Sequence, residues 1–203
     1  MPNPFVIALG KAVQHLARLR GSGSAFPGLV VQKIEPAFAV GLLNQLPHGV
    51  VLVSGTNGKT TTTKIVTELL QSQGFKVFSN PTGSNFMRGV ISALLAKVTL
   101  TGKLDANIAV LELDEAHAVR FVELVKPRYT LLLNVMRDQL DRFGEIDYTA
   151  RLLATVAQNT TQAVVINRED SRLATLPATA APPLAAQVYW YGLAPHLAPR
   201  FPQ

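Results

Sequence analysis

Gly55-Thr56-Asn57-Gly58-Lys59-Thr60 joins two glycines to a lysine and a hydroxyl. A tight glycine turn between a strand and a helix points backbone N–H groups at an anion, and the helix dipole adds favourable potential there. In that setting Lys59 reaches the β- and γ-phosphates of a nucleotide, and Thr60 offers its hydroxyl to Mg²⁺. The general phosphate-loop pattern has a further glycine where Val53 stands, so this is a shorter variant. The plainer alternative is a glycine turn that merely precedes a helix. A second group, Val110-Leu111-Glu112-Leu113-Asp114-Glu115, places acids at the end of an apolar run. Capping of the next helix would account for Asp114 and Glu115. It does not account for Glu112, an acid inside an apolar strand, which is read as a metal ligand. A third group runs from Asn134 to Glu145 with charges of both signs. It is a salt-bridged connection or, better supported, a site loop.

These groups need elements to hold them. Val50–Val53 is an apolar strand, and Thr62–Gln73 has helical spacing up to Gly74. Strands are expected at Phe75–Phe78, Ile108–Leu113, Tyr129–Leu133, Ala163–Ile166 and, more weakly, Val188–Tyr191. Helices are expected at Gly89–Lys97, from Ala118 to Val125, and from Ile146 to Ala157. Such alternation predicts an α/β fold, a doubly wound, mostly parallel sheet covered on both faces. Ligands of these sheets gather at the carboxyl ends of the strands, where all three groups fall. Ahead of this unit, a helix puts Phe5, Val6, Leu9, Val13 and Leu16 on one side. Lys11, Gln14, His15 and Arg18 lie opposite. The expectation is a helix whose apolar side packs on the domain, with attachment to an anionic lipid surface as the alternative. RGSGSAFPG reads as a loop, Pro36–Leu46 as a helix, and Leu176–Pro183 and the Pro-rich end as linker or tail.

The chain has 203 residues, 48% of them hydrophobic and 16% charged, which supports a packed core and argues against disorder. It has no cysteine, so thiolate metal sites, disulfides and a cysteine nucleophile are excluded within it. Residues 1–104 carry ten Lys/Arg against two Asp/Glu, whereas residues 105–203 carry nine against eleven. The basic half suits an anionic partner and the acidic half suits a metal. No aromatic-interleaved basic motif marks a nucleic-acid binder.

GTNGKTTTT, the ELDEA after a strand, and above all NVMRDQLDRFGEID resemble the Mur ligase superfamily, and within it the MurT-type subunits of lipid II isoglutaminyl synthases. The resemblance extends through Pro81-Thr82-Gly83-Ser84-Asn85 to Val165-Ile166-Asn167 and Tyr189-Trp190-Tyr191-Gly192. It implies an ATP-dependent amide ligase that phosphorylates the D-glutamate α-carboxylate of the lipid II stem peptide. Ammonia from a GatD-type glutaminase partner would then give D-isoglutamine. It implies ATP and Mg²⁺ as cofactors, and a cytoplasmic location at the inner face of the membrane. Lys59, Glu112 and Asp138 would be catalytic, and Thr60 and Glu112 would hold Mg²⁺. The nucleotide would contact Gly55, Thr56, Asn57, Gly58, Lys59, Thr60 and Thr61, with Asn85 and Asp138 near the phosphates or acceptor and Asn167 near adenine. By the same resemblance, residues 1–48 form a helical segment, 49–192 part of the ATP-binding domain and 193–203 a tail, with no cysteines for the family's zinc ribbon. Alternatives are a truncated, non-catalytic nucleotide-binding module, or another Mur-type or folylpolyglutamate-type ligase. Against the latter stand Gln139, where ordinary Mur ligases have His, and the absence of any lysine after Lys126.

Overall fold

The computed structural model describes residues 2–19, 25–80, 86–136 and 145–193. Strand β1 (Val50–Ser54) is buried at every residue, as its continuous apolar sequence requires of a strand covered on both faces. Parallel to it run β2 (Val77–Ser79), β3 (Ile108–Glu112), β4 (Tyr129–Leu132), β5 (Ala163–Asn167) and β6 (Gln187–Tyr191). Their order in the sheet is β2-β3-β1-β4-β5-β6. The central strand is thus flanked by two strands that come later in the chain. The expected α/β sheet is present, and each predicted strand is found with its ends shifted by one or two residues.

Side-chain alternation assigns the layers. Val51 and Val53 of β1, with Ile108 and Val110 of β3, pack against Val66 and Leu70 of α4 (Lys59–Ser72). Val50, Leu52, Ala109 and Leu111 point the other way. There they join α5 (Met87–Lys97) and α6 (Glu115–Leu124) in one core with α1 (Pro4–Leu19), α2 (Phe26–Ile34) and α3 (Phe38–Leu43). Further along that same face, Leu132, Val164 and Ile166 pack with α7 (Glu145–Gln158) and α8 (Ser171–Thr179). Among the described residues, no helix is long and apolar enough to cross a membrane.

Three expectations are corrected. Leu176–Pro183 is not wholly linker, because α8 runs to Thr179. Its start is capped by the Asp170 carboxylate, which accepts from the N–H groups of Arg172 and Leu173, and Leu173 and Leu176 are buried. Pro177 lies near the helix end, so it disturbs little. The loop read as RGSGSAFPG ends sooner, since α2 starts at Phe26 with Pro27 in its first turn, a position proline favours. The third correction concerns the face of α1. Val6, Ile7, Gly10 and Ala17 are buried, whereas Phe5, Leu9 and Leu16 of the predicted packing stripe are 72%, 38% and 58% exposed. Gly10 explains the rotation, because a Cβ there would lie 2.6 Å from Val31 and 2.9 Å from Leu95. The close approach of these helices selects the glycine side over the larger side chains.

Candidate nucleotide-binding site

The buried β1 delivers the chain to the carboxyl edge of the sheet, and the loop Gly55–Gly58 turns it into α4. Gly58 has φ +82°, a left-handed conformation that suits glycine. Gly55 has φ +136°, and a Cβ there would lie 3.0 Å from the backbone N and O of Asn134. The first residue satisfies a turn and the second a close approach. Gly58 is also the N-cap of α4 and supplies no side-chain hydrogen bond. The N–H groups of the first helical turn therefore stay available to an anion.

Lys59 folds back over the loop. Its Nζ donates to the carbonyls of Gly55 (2.7 Å) and Thr56 (3.0 Å) and pairs with Asp114 Oδ1 at 3.2 Å. This holds the ammonium group within the loop. Asp114 stands at the N-cap of α6 but makes no cap hydrogen bond there, so the capping alternative gives way to an ion pair with Lys59. Thr60 donates to Glu112 Oε1 at 3.1 Å. Glu112 ends β3 and is 3% exposed, although it is a carboxylate within an apolar strand. A buried anion of this kind calls for a cation or several donors. Among the described residues Glu112 takes part in no ion pair. The hard oxygen pair of Thr60 and Glu112 beside a phosphate loop fits a divalent cation such as Mg²⁺.

Several residues that the sequence reading left out of the site prove to hold its frame. Asn134, just beyond β4, accepts from the Asn57 N–H at 2.8 Å and donates to the Asn57 carbonyl at 3.0 Å. The Thr56 N–H donates to the Asn134 carbonyl, and Thr56 Oγ1 accepts from the Met136 N–H. The phosphate loop is thus stapled to the chain leaving β4. The Asn80 side chain bonds both ways with the Glu112 backbone, at 3.0 Å each, and extends the β2–β3 ladder to the site. Nearness to the ends of strands was the available signal for both asparagines. Thr61 is exposed on the first turn of α4. Asn167 ends β5, where its amide donates to the Leu133 carbonyl and its Oδ1 accepts from Glu169 N–H. Nearby, burial and the Asp170 carboxylate push the Tyr191 phenol above its usual pKa, burial being the larger cause. Asn85 and Asp138 lie outside the described residues.

Residues 53–198 match the model of the Mur ligase middle domain. The MurT subunit of the lipid II isoglutaminyl synthase (glutamine-hydrolyzing) of Streptococcus pneumoniae is 38% identical over 159 residues, covering 78% of this chain and 34% of that protein. Its counterpart in Staphylococcus aureus strain COL is 33% identical over 165 residues, or 81% of this chain and 37% of that one. This chain therefore spans about a third of the length of these curated relatives. Among solved structures, the MurF ligase of Thermotoga maritima in complex with ADP superposes with a TM-score of 0.63 at 22% identity, over 80% of this chain and 36% of that one. A bifunctional folylpolyglutamate synthase/dihydrofolate synthase with Mn, AMPPNP and L-glutamate bound gives 0.57 at 19% identity, over 76% and 45%. These superpositions agree in fold with the parallel sheet and its phosphate-loop helix, and the extent of the sequence match establishes that the chain belongs to the Mur ligase family through its middle domain.

Proposed function

We propose that the chain forms the nucleotide-binding part of an ATP-dependent carbon–nitrogen ligase of the MurT type. The observation that carries this reading is the meeting of Lys59, Thr60 and Glu112 at the uncapped start of α4. The loop N–H groups and Lys59 bind the β- and γ-phosphates, Lys59 exchanging its loop-carbonyl bonds for phosphate oxygens. Thr60 and Glu112 hold Mg²⁺. When bound, the ion neutralises charge on the transferring phosphoryl group. Asp114 keeps Lys59 aimed across the loop mouth. Asn167 faces the base, and Asn85 and Asp138 act nearer the acceptor.

In the reaction, a carboxylate oxygen attacks the γ-phosphorus and ADP leaves, giving an acyl phosphate. Ammonia then attacks the acyl carbon and expels phosphate. The names of the relatives supply the finer reading, in which the carboxylate is the D-glutamate α-carboxylate of lipid II and the ammonia comes from a GatD-type glutaminase that hydrolyses glutamine. The work would take place at the cytoplasmic side of the membrane that carries the lipid.

Two measurements test this. Titration with Mg-ATP should show binding that Lys59→Ala weakens by at least about ten-fold, since hydrogen bonds to charged groups contribute roughly 1.5–3 kcal/mol. An unchanged affinity would remove the phosphate site. Incubation with Mg-ATP, lipid II, glutamine and a cognate glutaminase should give amidated lipid II and ADP. ATP binding without amidation would leave a nucleotide-binding module in place of the ligase.

A further inference from the structure

Beside the Thr60–Glu112 pair lies a slot of about 290 Å³, walled by one face of α4 and the end of β2. Thr60, Thr63 and Thr67 form a ladder of hydroxyls along it, at i, i+3 and i+7 of one helix. Asn80 and Glu112 close one end, and Lys64 contributes a positive charge to the lining. Thr63 is 4% exposed, and neither its Oγ1 nor that of Thr67 has a hydrogen-bond partner. This is not how the other helices treat threonine. Thr155, Thr175 and Thr179 donate to carbonyls three or four residues back. That bond was equally open to Thr63 and Thr67, yet their hydroxyls do not make it. A buried hydroxyl without a partner is a net cost to the fold. Two of them side by side in a polar slot next to the phosphate loop point to a ligand that completes them.

We propose that this slot seats the acyl substrate's reacting end, an amino-acid-sized group bearing a carboxylate and an amide, with Thr63 and Thr67 as its positioning hydroxyls. The proposal rests on the ligase reading above. A slot of this volume accepts one such residue and not a whole nucleotide. Lys64 offsets the charge of the carboxylate, and the hydroxyl ladder meets its oxygens or the neighbouring amide. The reacting carboxylate then lies at the Thr60 end, next to where the phosphate loop presents the terminal phosphate.

The test titrates the 203-residue chain, saturated with Mg-ADP, with L-alanyl-D-glutamate. Thr63→Val and Thr67→Val remove the hydroxyls and nearly keep the shape, while Thr63→Ser restores a hydroxyl. Each valine variant should weaken dipeptide binding by about ten-fold, the worth of one good hydrogen bond. Mg-ATP affinity should stay within about two-fold, the melting temperature should not fall because an unsatisfied group is gone, and Thr63→Ser should recover binding. Unchanged dipeptide affinity in both valine variants would mean that water fills the slot, and would overturn the proposal. So would a joint loss of melting temperature, ATP affinity and dipeptide affinity, which marks a structural role. If the wild-type chain binds Mg-ATP but not the dipeptide, the slot assignment falls while the nucleotide site stands.

Discussion

Asn134 holds the phosphate loop from outside, with one side chain bonded to both the N–H and the carbonyl of Asn57. Asn134→Ala leaves those two groups without their partner and should destabilise the protein by about 1–3 kcal/mol, measured by urea unfolding. It should also weaken Mg-ATP binding, because the loop N–H groups lose their fixed aim. Stability and affinity both equal to wild type would show that the staple is not needed. Lys59, Thr60 and Glu112 were legible in the sequence because local spacing announces them: a glycine turn before a helix, and an acid out of place in an apolar strand. The role of Asn134 was not, since its partner lies 77 residues earlier in the chain. Asp114 was misjudged for the same reason. Its place before a helix suggested a cap, whereas its partner is Lys59, which folding brings there from 55 positions upstream.

Elements were legible where periodicity was strong and illegible where a single small residue decided the packing. The strands of the sheet and the amphipathic runs of α6 and α7 follow from apolar spacing alone. The face of α1 does not. Hydrophobicity favours the side with Phe5, Leu9 and Leu16, but close contact with Val31 and Leu95 favours the side with Gly10. Contact wins, because packing two helices closely buries several side chains at once whereas Phe5 and Leu16 would gain burial only singly. Gly10→Val should therefore cost about 1–3 kcal/mol through overpacking, whereas Phe5→Ser and Leu16→Ser should each change stability by less than about 0.5 kcal/mol. Thermal or chemical unfolding of the three variants checks this, and the reverse ranking would refute the orientation of α1. Likewise α8 was hidden by its Pro and Ala content, although Asp170 and two buried leucines define it.

At the scale of the molecule, the sheet brings together at one edge groups that the chain spreads over some eighty residues, from Gly55 to Asn134. The fold class was readable from alternation, but the order of strands was not, because hydrophobic pattern does not say which strand neighbours which. That order has a bearing on how the protein assembles in time. β1 sits at the centre, and its two neighbours, β3 and β4, begin 58 and 79 residues after it starts. In between, the chain must complete α4, β2 and α5 without the pairing that later secures β1. Long loops must close before most of the sheet's hydrogen bonds form, which slows folding. Refolding should thus be slow for a chain of this size. In pulse-labelled hydrogen exchange, the amides of β1 should gain protection together with those of β3 and β4. Protection of β1 well ahead of both would show that α4 alone suffices to organise it. During synthesis, the strand that carries the phosphate loop leaves the ribosome early and waits for its neighbours. The nucleotide site is encoded near the beginning of this sheet, yet it is among the last parts of it to exist.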